Sequence, residues 1–390
     1  MFDKSIGVFF GGKNPEHDIS IFTGEMIIKG LLDAGFKNVI PVYINKSGNW
    51  LIGKELGDIK IFRKGELEKY SKLSKWNLDN EIRGKMIFYN KGFLKKKIVI
   101  DIAFPALHGM NGEDGTIQGL FDMFDIPYIG CDVYSSAVSM DKVLTKQIYK
   151  ANNISTSQFT FFLSNEWKEN KQNIIKNIEK ELVYPLFVKP SRLGSSIGIN
   201  KVNSRKDIEF AIEVALHYDS KVIVEKAVEN LKDITCCLIG NENPTPSLLQ
   251  ESAYNKDFVS FDDKYIEDGG TQFGISQQKV IIPAELDNKI TQEIREMAKK
   301  IFKLIGCSGI ARVDFLYDKK AKQYFANEIN TLPGILYRHL WKKSGIELDD
   351  LLKKLVDFAI KRYEDKKKYT YTFESEVLKS DKSSKLKLGF

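Results

Sequence analysis

Residues Phe325 to Gly334 read FANEINTLPG. The stretch reads as a strand that stops at a Pro-Gly turn, and strand side chains alternate between faces. Glu328 and Asn330 should therefore share one face, with Phe325, Asn327 and Ile329 on the other. Asp314 lies in a preceding apolar strand, ARVDFLYD, which runs into the turn DKKAKQ. If the two strands form a hairpin, two carboxylates and a carboxamide oxygen converge on one face. Hard oxygen donors in that number suit one or two Mg²⁺ ions held together with phosphate oxygens. A solvated hairpin with polar outer positions is the plainer alternative. Arg312 weighs against it: it falls two residues before Asp314, on the same face, inside an otherwise apolar segment.

Four further stretches carry residues of the same kind. In KPSRLGSSIG, Lys189 closes a strand, and the small residues after it offer a run of backbone N–H groups. Such a loop can close over phosphates while the lysine supplies a point charge; a hairpin with a flexible turn fits equally well. It is not a Walker A loop, because the lysine comes first and no GK[ST] ends it. In SMDK, Ser139 can cap a helix with Lys142 in its first turn, or this is simply a capped helix with an exposed lysine. In GGKNPEHDIS, Gly11 and Gly12 follow the first strand, where open α/β sheets bind ligands, and Glu16 starts a helix whose dipole favours a carboxylate. The spacing is not G-x-G-x-x-G, so dinucleotide binding is poorly supported. In HGMNGEDG, His108 ends a strand in a glycine-rich loop, as a ligand contact or as a satisfied turn histidine.

The elements that must position these groups alternate between strand and helix. SIGVFF, a helix over Ile19–Asp33 and NVIPVYIN form a strand–helix–strand unit with parallel strands. Residues 46–96 are polar and lysine-rich and read as a surface excursion with hairpins. KIVIDIAFPALHG reads as one continuous buried strand, followed by a helix from Thr116. A helix over Ser139–Lys150, two strands around the Ser/Gly loop, a helix over Arg205–Leu216 and the strand SKVIVEKAV come next. The remainder predicts strands over Asp233–Ile239 and Lys279–Ile282, a long helix over Ala284–Leu304, the hairpin, and a last helix over Leu348–Tyr363. The fold class is α/β, divided into 1–138, 139–224, 225–363 and a polar tail, 364–390.

Bulk properties narrow the function classes. At 390 residues the chain exceeds one compact core. It is 43% hydrophobic and 28% charged, and no apolar run could span a bilayer. The chain enters a strand at once, which predicts no signal peptide. Cys131, Cys236, Cys237 and Cys307 lack metal or disulfide spacing and read as buried apolar residues in a reducing cytoplasm. A net charge of +7 is modest for this length, and the basic residues are not interleaved with aromatics, so neither nucleic acid nor membrane is expected as a partner.

Taken together and in this order, the stretches resemble the ATP-grasp superfamily and, within it, the D-alanine–D-alanine ligases. The resemblance covers roughly residues 5–360 and rests on GGKNPEHDIS, HGMNGEDGTIQG, SAVSMDK, KPSRLGSSIGI, VIVEKAV, DKY, ARVDF and NEINTLPG. Stretches around Gly130 and Gly306 resemble the D-Ala–D-Ser branch. The resemblance implies an ATP-grasp fold behind an N-terminal, Rossmann-like parallel-sheet domain. It implies a cytoplasmic ligase that joins two D-alanines for peptidoglycan synthesis through an acyl phosphate, using ATP and two Mg²⁺ (or Mn²⁺) ions. Asp314, Glu328 and Asn330 would hold the ions. Lys142, Lys189 and the loop at Ser195–Gly198, Ser196 included, would meet the phosphates. Glu225, Lys226 and Val228 match the adenine segment, and Asp233 stands where the family usually has Glu for the ribose. Glu16 would take the first ammonium, with Ser195 and Tyr265 as partners in a closing network. Lys264 matches the lysine beside that tyrosine, His108 would lie near the first substrate, and Arg312 with the Gly334 N–H would stabilise the oxyanion. A homodimer is a further implied expectation.

Two departures fall on the acceptor side. ILYRHLW replaces the family's Met-Thr and Ser-Leu pairs, so that Leu340 is kept while His339 occupies the Ser position. The loop YIEDGGTQFGISQQ after Tyr265 is also longer than usual. A D-Ala–D-Ser ligase, or another D-Ala–X ligase, is therefore the nearest alternative, and Tyr265 rather than His argues against a D-lactate acceptor. A non-catalytic nucleotide-binding regulator is the alternative from another class. Arg312 argues against it, since binding alone needs no oxyanion donor.

Overall fold

The computed structural model describes residues 2–65, 67, 76–79, 84–90, 97–252 and 280–375. Lys264, Tyr265 and the long loop after them lie outside the described residues, as do parts of 46–96 and the end of the tail.

Strand β1 (Ser5–Gly11) pairs in parallel with β2 (Asn38–Ile44), and helix α1 (His17–Asp33) makes the crossover between them. Both faces of β1 are covered, which is why SIGVFF is apolar without alternation. Ile6, Val8 and Phe10 join one core with Ile27 and Leu31 of α1, while Phe9 packs on the other side with Phe121. A short antiparallel strand, β3 (Trp50–Ile52), adds to β2.

The excursion is not all surface. After a short helix α2 (Ile59–Arg63), strands β4 (Trp76–Asp79), β5 (Met86–Asn90) and β6 (Lys97–Ile100) form a separate antiparallel sheet. Met86 and Phe88 are fully buried beside Phe9 and Val42. The expected single central strand also breaks: β6 belongs to that sheet, whereas β7 (Ile102–Pro105) pairs with β1. Asp101 marks the break, accepting a hydrogen bond from the Ser5 N–H at 2.9 Å and pairing with Lys85 at 3.1 Å.

Helices α3 (Thr116–Met123), α4 (Val133–Met140) and α5 (Lys142–Ala151) lead into a four-stranded antiparallel sheet. The expected single helix from Ser139 is two helices, and the cap is Asp141, not Ser139. The Asp141 carboxylate accepts from the N–H groups of Val143 and Leu144, as an N-cap does. The sheet comprises β8 (Phe159–Leu163), β9 (Leu186–Pro190), β10 (Asn200–Val202) and β11 (Lys221–Lys226). Helices α6 (Ser164–Glu169), α7 (Lys171–Glu181) and α8 (Arg205–Tyr218) cover it.

A fourth sheet runs in the order β14-β13-β12-β15-β16, with β12 Leu231–Gly240, β13 Thr245–Ser252, β14 Val280–Ile281, β15 Gly309–Asp318 and β16 Gln323–Asn330. Helix α9 (Asn288–Ile305) backs it, starting four residues later than expected because Asp287 caps it. Helices α10 (Arg338–Lys343) and α11 (Leu348–Lys366) are the last elements among the described residues. Leu351, Leu352, Leu355 and Val356 of α11 share a core with β1 and α1, so the last helix closes onto the first sheet. Among the described residues, no helix is long and apolar enough to cross a membrane.

Candidate active site

The hairpin is present, in the register the alternation requires. Arg312 pairs with Asn330 and Asp314 with Glu328 across β15 and β16. One expectation fails. Asn327 has no opposite residue, because the register shifts between Asp314 and Phe315. This bulge moves the phase of β16 by one, so Ala326 and Ile329, rather than Phe325 and Ile329, point into the core.

Asp314 and Arg312 are both 7% exposed. Arg312 Nε donates to Asp314 at 3.0 and 2.9 Å and Nη2 donates at 2.6 Å, while Nη2 lies 3.7 Å from Glu328 Oε1. Burial works against the guanidinium charge, but Asp314 outweighs it and holds the Arg312 pKa above its ordinary value. Thr235 Oγ1 donates to Asp314 Oδ1 at 2.8 Å, fixing the carboxylate from the neighbouring strand. Asn330 Nδ2 lies 3.5 Å from Asp314 Oδ2. Among the described residues no three His, Cys, Asp or Glu side chains gather into a metal-holding group. Asp314, Glu328 and Asn330 supply oxygen donors on neighbouring strands, and so few protein ligands match Mg²⁺, which keeps phosphate and water in its shell.

One cleft collects Glu16, His108, Lys142, Ser195, Arg312, Glu328, Asn330 and Gly334. They come from elements around three of the four sheets, which no single stretch of sequence reveals. Ser195 Oγ donates to Glu16 Oε1, tying the Ser/Gly loop to the start of α1. Ser195 and Ser196 hold left-handed backbone, at φ 54° and 61°, which turns the loop back over the cleft. His108 Nε2 is 2.8 Å from Thr23 Oγ1, and the Gly109 N–H donates to Glu113 Oε2 at 2.8 Å. Lys142 Nζ donates to the Leu193 carbonyl at 2.7 Å and lies 3.8 Å from Glu328. Asp141 accepts from Ser191 Oγ at 2.7 Å and Lys221 Nζ at 2.6 Å, which pins the base of α5 to the loop and to β11.

Lys189 and Glu225 do not line that cleft; they pair on adjacent strands beside it, Nζ donating to Oε2 at 2.7 Å. Burial alone would raise the Glu225 carboxyl, but Lys146 and Lys189 hold it at about 2. Lys226 is exposed and Val228 half-buried just beyond β11, while Asp233 lies half-buried in β12. His339 and Leu340 also stand outside the cleft. Leu340 is fully buried, and His339 Nε2 is 2.7 Å from Gln250 Oε1. Burial and the charge of Arg338 lower the His339 pKa to about 4, so the neutral ring donates its Nε2–H to Gln250.

Between the cleft and His339 the backbone is strained. Ile335, Leu336 and Tyr337 have φ of 43°, 55° and 51°. Left-handed backbone costs roughly 1–2 kcal/mol per L residue, and most for a β-branched one such as Ile335. This turn lays the Tyr337 ring under Arg312, 5.1 Å from the guanidinium carbon, and near the His339 ring, 5.2 Å away. Neither Tyr337 nor Lys146, one turn beyond Lys142 on the same helix face, stands out from its own stretch. The Lys142/Lys146 spacing of four residues was the available signal for the latter.

A family model described as "D-ala D-ala ligase N-terminus" matches residues 5–131, and one described as "D-ala D-ala ligase C-terminus" matches 148–357. A D-alanine–D-alanine ligase of Thermosipho melanesiensis is 40% identical over 96% of this chain and 98% of its own. That of Caldicellulosiruptor bescii is 37% identical over 96% and 100%. Among solved structures, the D-alanine-D-alanine ligase from Coxiella burnetii superposes with a TM-score of 0.79 at 27% identity, covering 94% of this chain and 97% of its own. The VanG D-Ala:D-Ser ligase from Enterococcus faecalis gives 0.75 at 31% identity, covering 92% and 99%.

Proposed function

The chain belongs to the D-alanine–D-alanine ligase family, and from that premise we propose how its own residues join two D-alanines at the expense of ATP. The observation that carries the reading is the set Arg312, Glu328 and Asn330, with Asp314 bonded to Arg312, facing Lys142 and the Glu16–Ser195 contact across one cleft. Lys142 and Lys189 bind the ATP phosphates, and Glu225, Lys226, Val228 and Asp233 border the nucleoside. Asp314, Glu328 and Asn330 are the residues that would hold one or two Mg²⁺ ions, which would supply charge neutralisation at the phosphates.

Glu16 receives the ammonium of the first D-alanine, with His108 nearby. The carboxylate of that D-alanine attacks the γ-phosphorus and ADP leaves, giving an acyl phosphate. The amine of the second D-alanine then attacks the acyl carbon and phosphate leaves. Negative charge builds on the former carbonyl oxygen, where the Arg312 guanidinium and the Gly334 N–H stabilise it. The Ser195 loop, latched to Glu16, keeps water from the acyl phosphate. Tyr265 completes the closing network in this reading, and Lys264 beside it joins the ATP contacts. Residues 1–138, 139–224 and 225–363 act as the three working parts. The reaction belongs in the cytoplasm, where ATP is supplied, and its product serves peptidoglycan synthesis.

A D-serine acceptor is the second reading, favoured by the likeness to a D-Ala:D-Ser ligase and by His339 in place of the family's Ser. The test is ATP-dependent phosphate release with D-alanine alone, then with added D-serine or D-lactate, with products identified by mass. D-alanyl-D-alanine supports the first reading and a mixed dipeptide the second. Mg-ATP binding without turnover on any D-amino acid would leave only a nucleotide-binding protein.

A further inference from the structure

One buried cation has no part in the scheme above. Lys146 is 1% exposed, and an ammonium is almost never buried so deeply without partners. Its Nζ donates to Thr156 Oγ1 at 2.9 Å and to Ser157 Oγ at 3.0 Å, and lies 3.2 Å from Glu225 Oε1. Glu225 is itself only 2% exposed, and its other oxygen accepts from Lys189. One carboxylate is thus shared between two lysines, one deep and one facing outward: the Lys189 side chain is 11% exposed.

The sharing decides where the charge goes. Facing Lys189 alone, Glu225 would form a neutral buried pair, and the lysine's pull on an anion would be largely cancelled. With Lys146 against the far oxygen, the trio carries a surplus positive charge. Lys146 is enclosed, so that surplus is expressed at Lys189. We propose that Lys146 is a positioning residue for nucleotide binding: it satisfies Glu225 from behind and leaves Lys189 charged toward the ATP phosphates. This rests on the reading of Lys189 as a phosphate contact.

The test uses the full chain with Mg-ATP, measuring binding by calorimetry and the KM for ATP and for D-alanine. Lys146→Met should weaken Mg-ATP by about tenfold, the scale of one compromised charge contact, with the KM for D-alanine unchanged. Lys146→Arg keeps a positive charge against Glu225 and should retain most of the ATP affinity. A purely structural Lys146 would lower thermal stability without separating the two KM values, and that result overturns the proposal. So does a Lys146→Arg variant that binds Mg-ATP as weakly as Lys146→Met. If Lys146→Met does not fold, Lys146→Gln, neutral but able to hydrogen-bond Thr156 and Ser157, takes its place: a tenfold loss of ATP affinity supports the proposal and near-wild-type affinity refutes it. Wild-type protein that binds no Mg-ATP would overturn the ATP reading itself, and this inference with it, before any variant is made.

Discussion

Changing Arg312 to lysine keeps its charge and removes its shape. The guanidinium makes three donor contacts to Asp314, reaches toward Glu328 and stacks on Tyr337. A lysine ammonium is a single point that can hold Asp314 or turn toward the cleft, but not both. Loss of one well-placed oxyanion donor lowers kcat by about 10² to 10³, or about 2.7–4 kcal/mol. Arg312→Lys should fall near the lower end, since its charge remains, and the KM for ATP should change little because Lys142 and Lys189 are untouched. Arg312→Ala should lose as much activity and also stability, because Asp314 loses its buried counter-ion, a loss of about 3–5 kcal/mol. The assay is ATP-dependent phosphate release with D-alanine, paired with Mg-ATP calorimetry and urea unfolding. Arg312→Lys with kcat within about threefold of wild type would refute the oxyanion role, because the lost fork would then contribute nothing to the transition state.

His339 should make the fold acid-sensitive. Its ring titrates at about 4 in the folded chain against the ordinary 6.5, so the unfolded chain binds the extra proton between those values. Stability is fully present above pH 6.5 and is lost as pH falls toward 4; at pH 5 this group should cost about 2 kcal/mol relative to pH 7.5. Urea unfolding at the two pH values should show that difference in the wild type and not in His339→Gln; equal slopes would sink the assignment. Gly309 has φ +72°, and an added Cβ would lie 2.9 Å from the Gly130 nitrogen. Gly309→Ala should therefore cost about 1–3 kcal/mol and lower the melting temperature, and an unchanged melt would contradict the close backbone approach. Ending the chain after Lys368 should leave kcat unaltered, because α11 ends at Lys366, whose ammonium holds Asp122 at 2.6 Å. A large loss of activity would show that the tail has a working part.

Period-two alternation made Asp314, Glu328, Asn330 and Arg312 legible, because a strand leaves few choices about which side chains share a face. The bulge at Asn327 was not legible, since a single extra residue leaves the apolar pattern readable in two phases. Asp141 was overlooked as a cap because Ser139 two residues earlier is an equally good capping type, and only the backbone shows which one starts the helix. Lys146 reads like any lysine on an amphipathic helix; its burial depends on Thr156, Ser157 and Glu225, which approach from elsewhere in the chain. Asp101 breaks KIVIDIAFP for a reason equally remote, the Ser5 N–H of another strand. The left-handed run at Ile335–Tyr337 opposes local preference, so no propensity could have announced it.

Among the described residues, the strand that carries Glu328 and Asn330 is also the rim of its sheet, with β15 on one side and no further strand on the other. A rim strand with open N–H and C=O groups is a template on which a second chain can add itself. Here the bulge at Asn327 interrupts that template, and the Ala326 N–H is already given to the Ser155 carbonyl at 2.8 Å. The same irregularity that re-aims the acidic side chains thus blunts edge-to-edge joining. A second copy that added to this sheet through β16 would meet that interruption, and the rim that carries Glu328 and Asn330 stays open to small molecules.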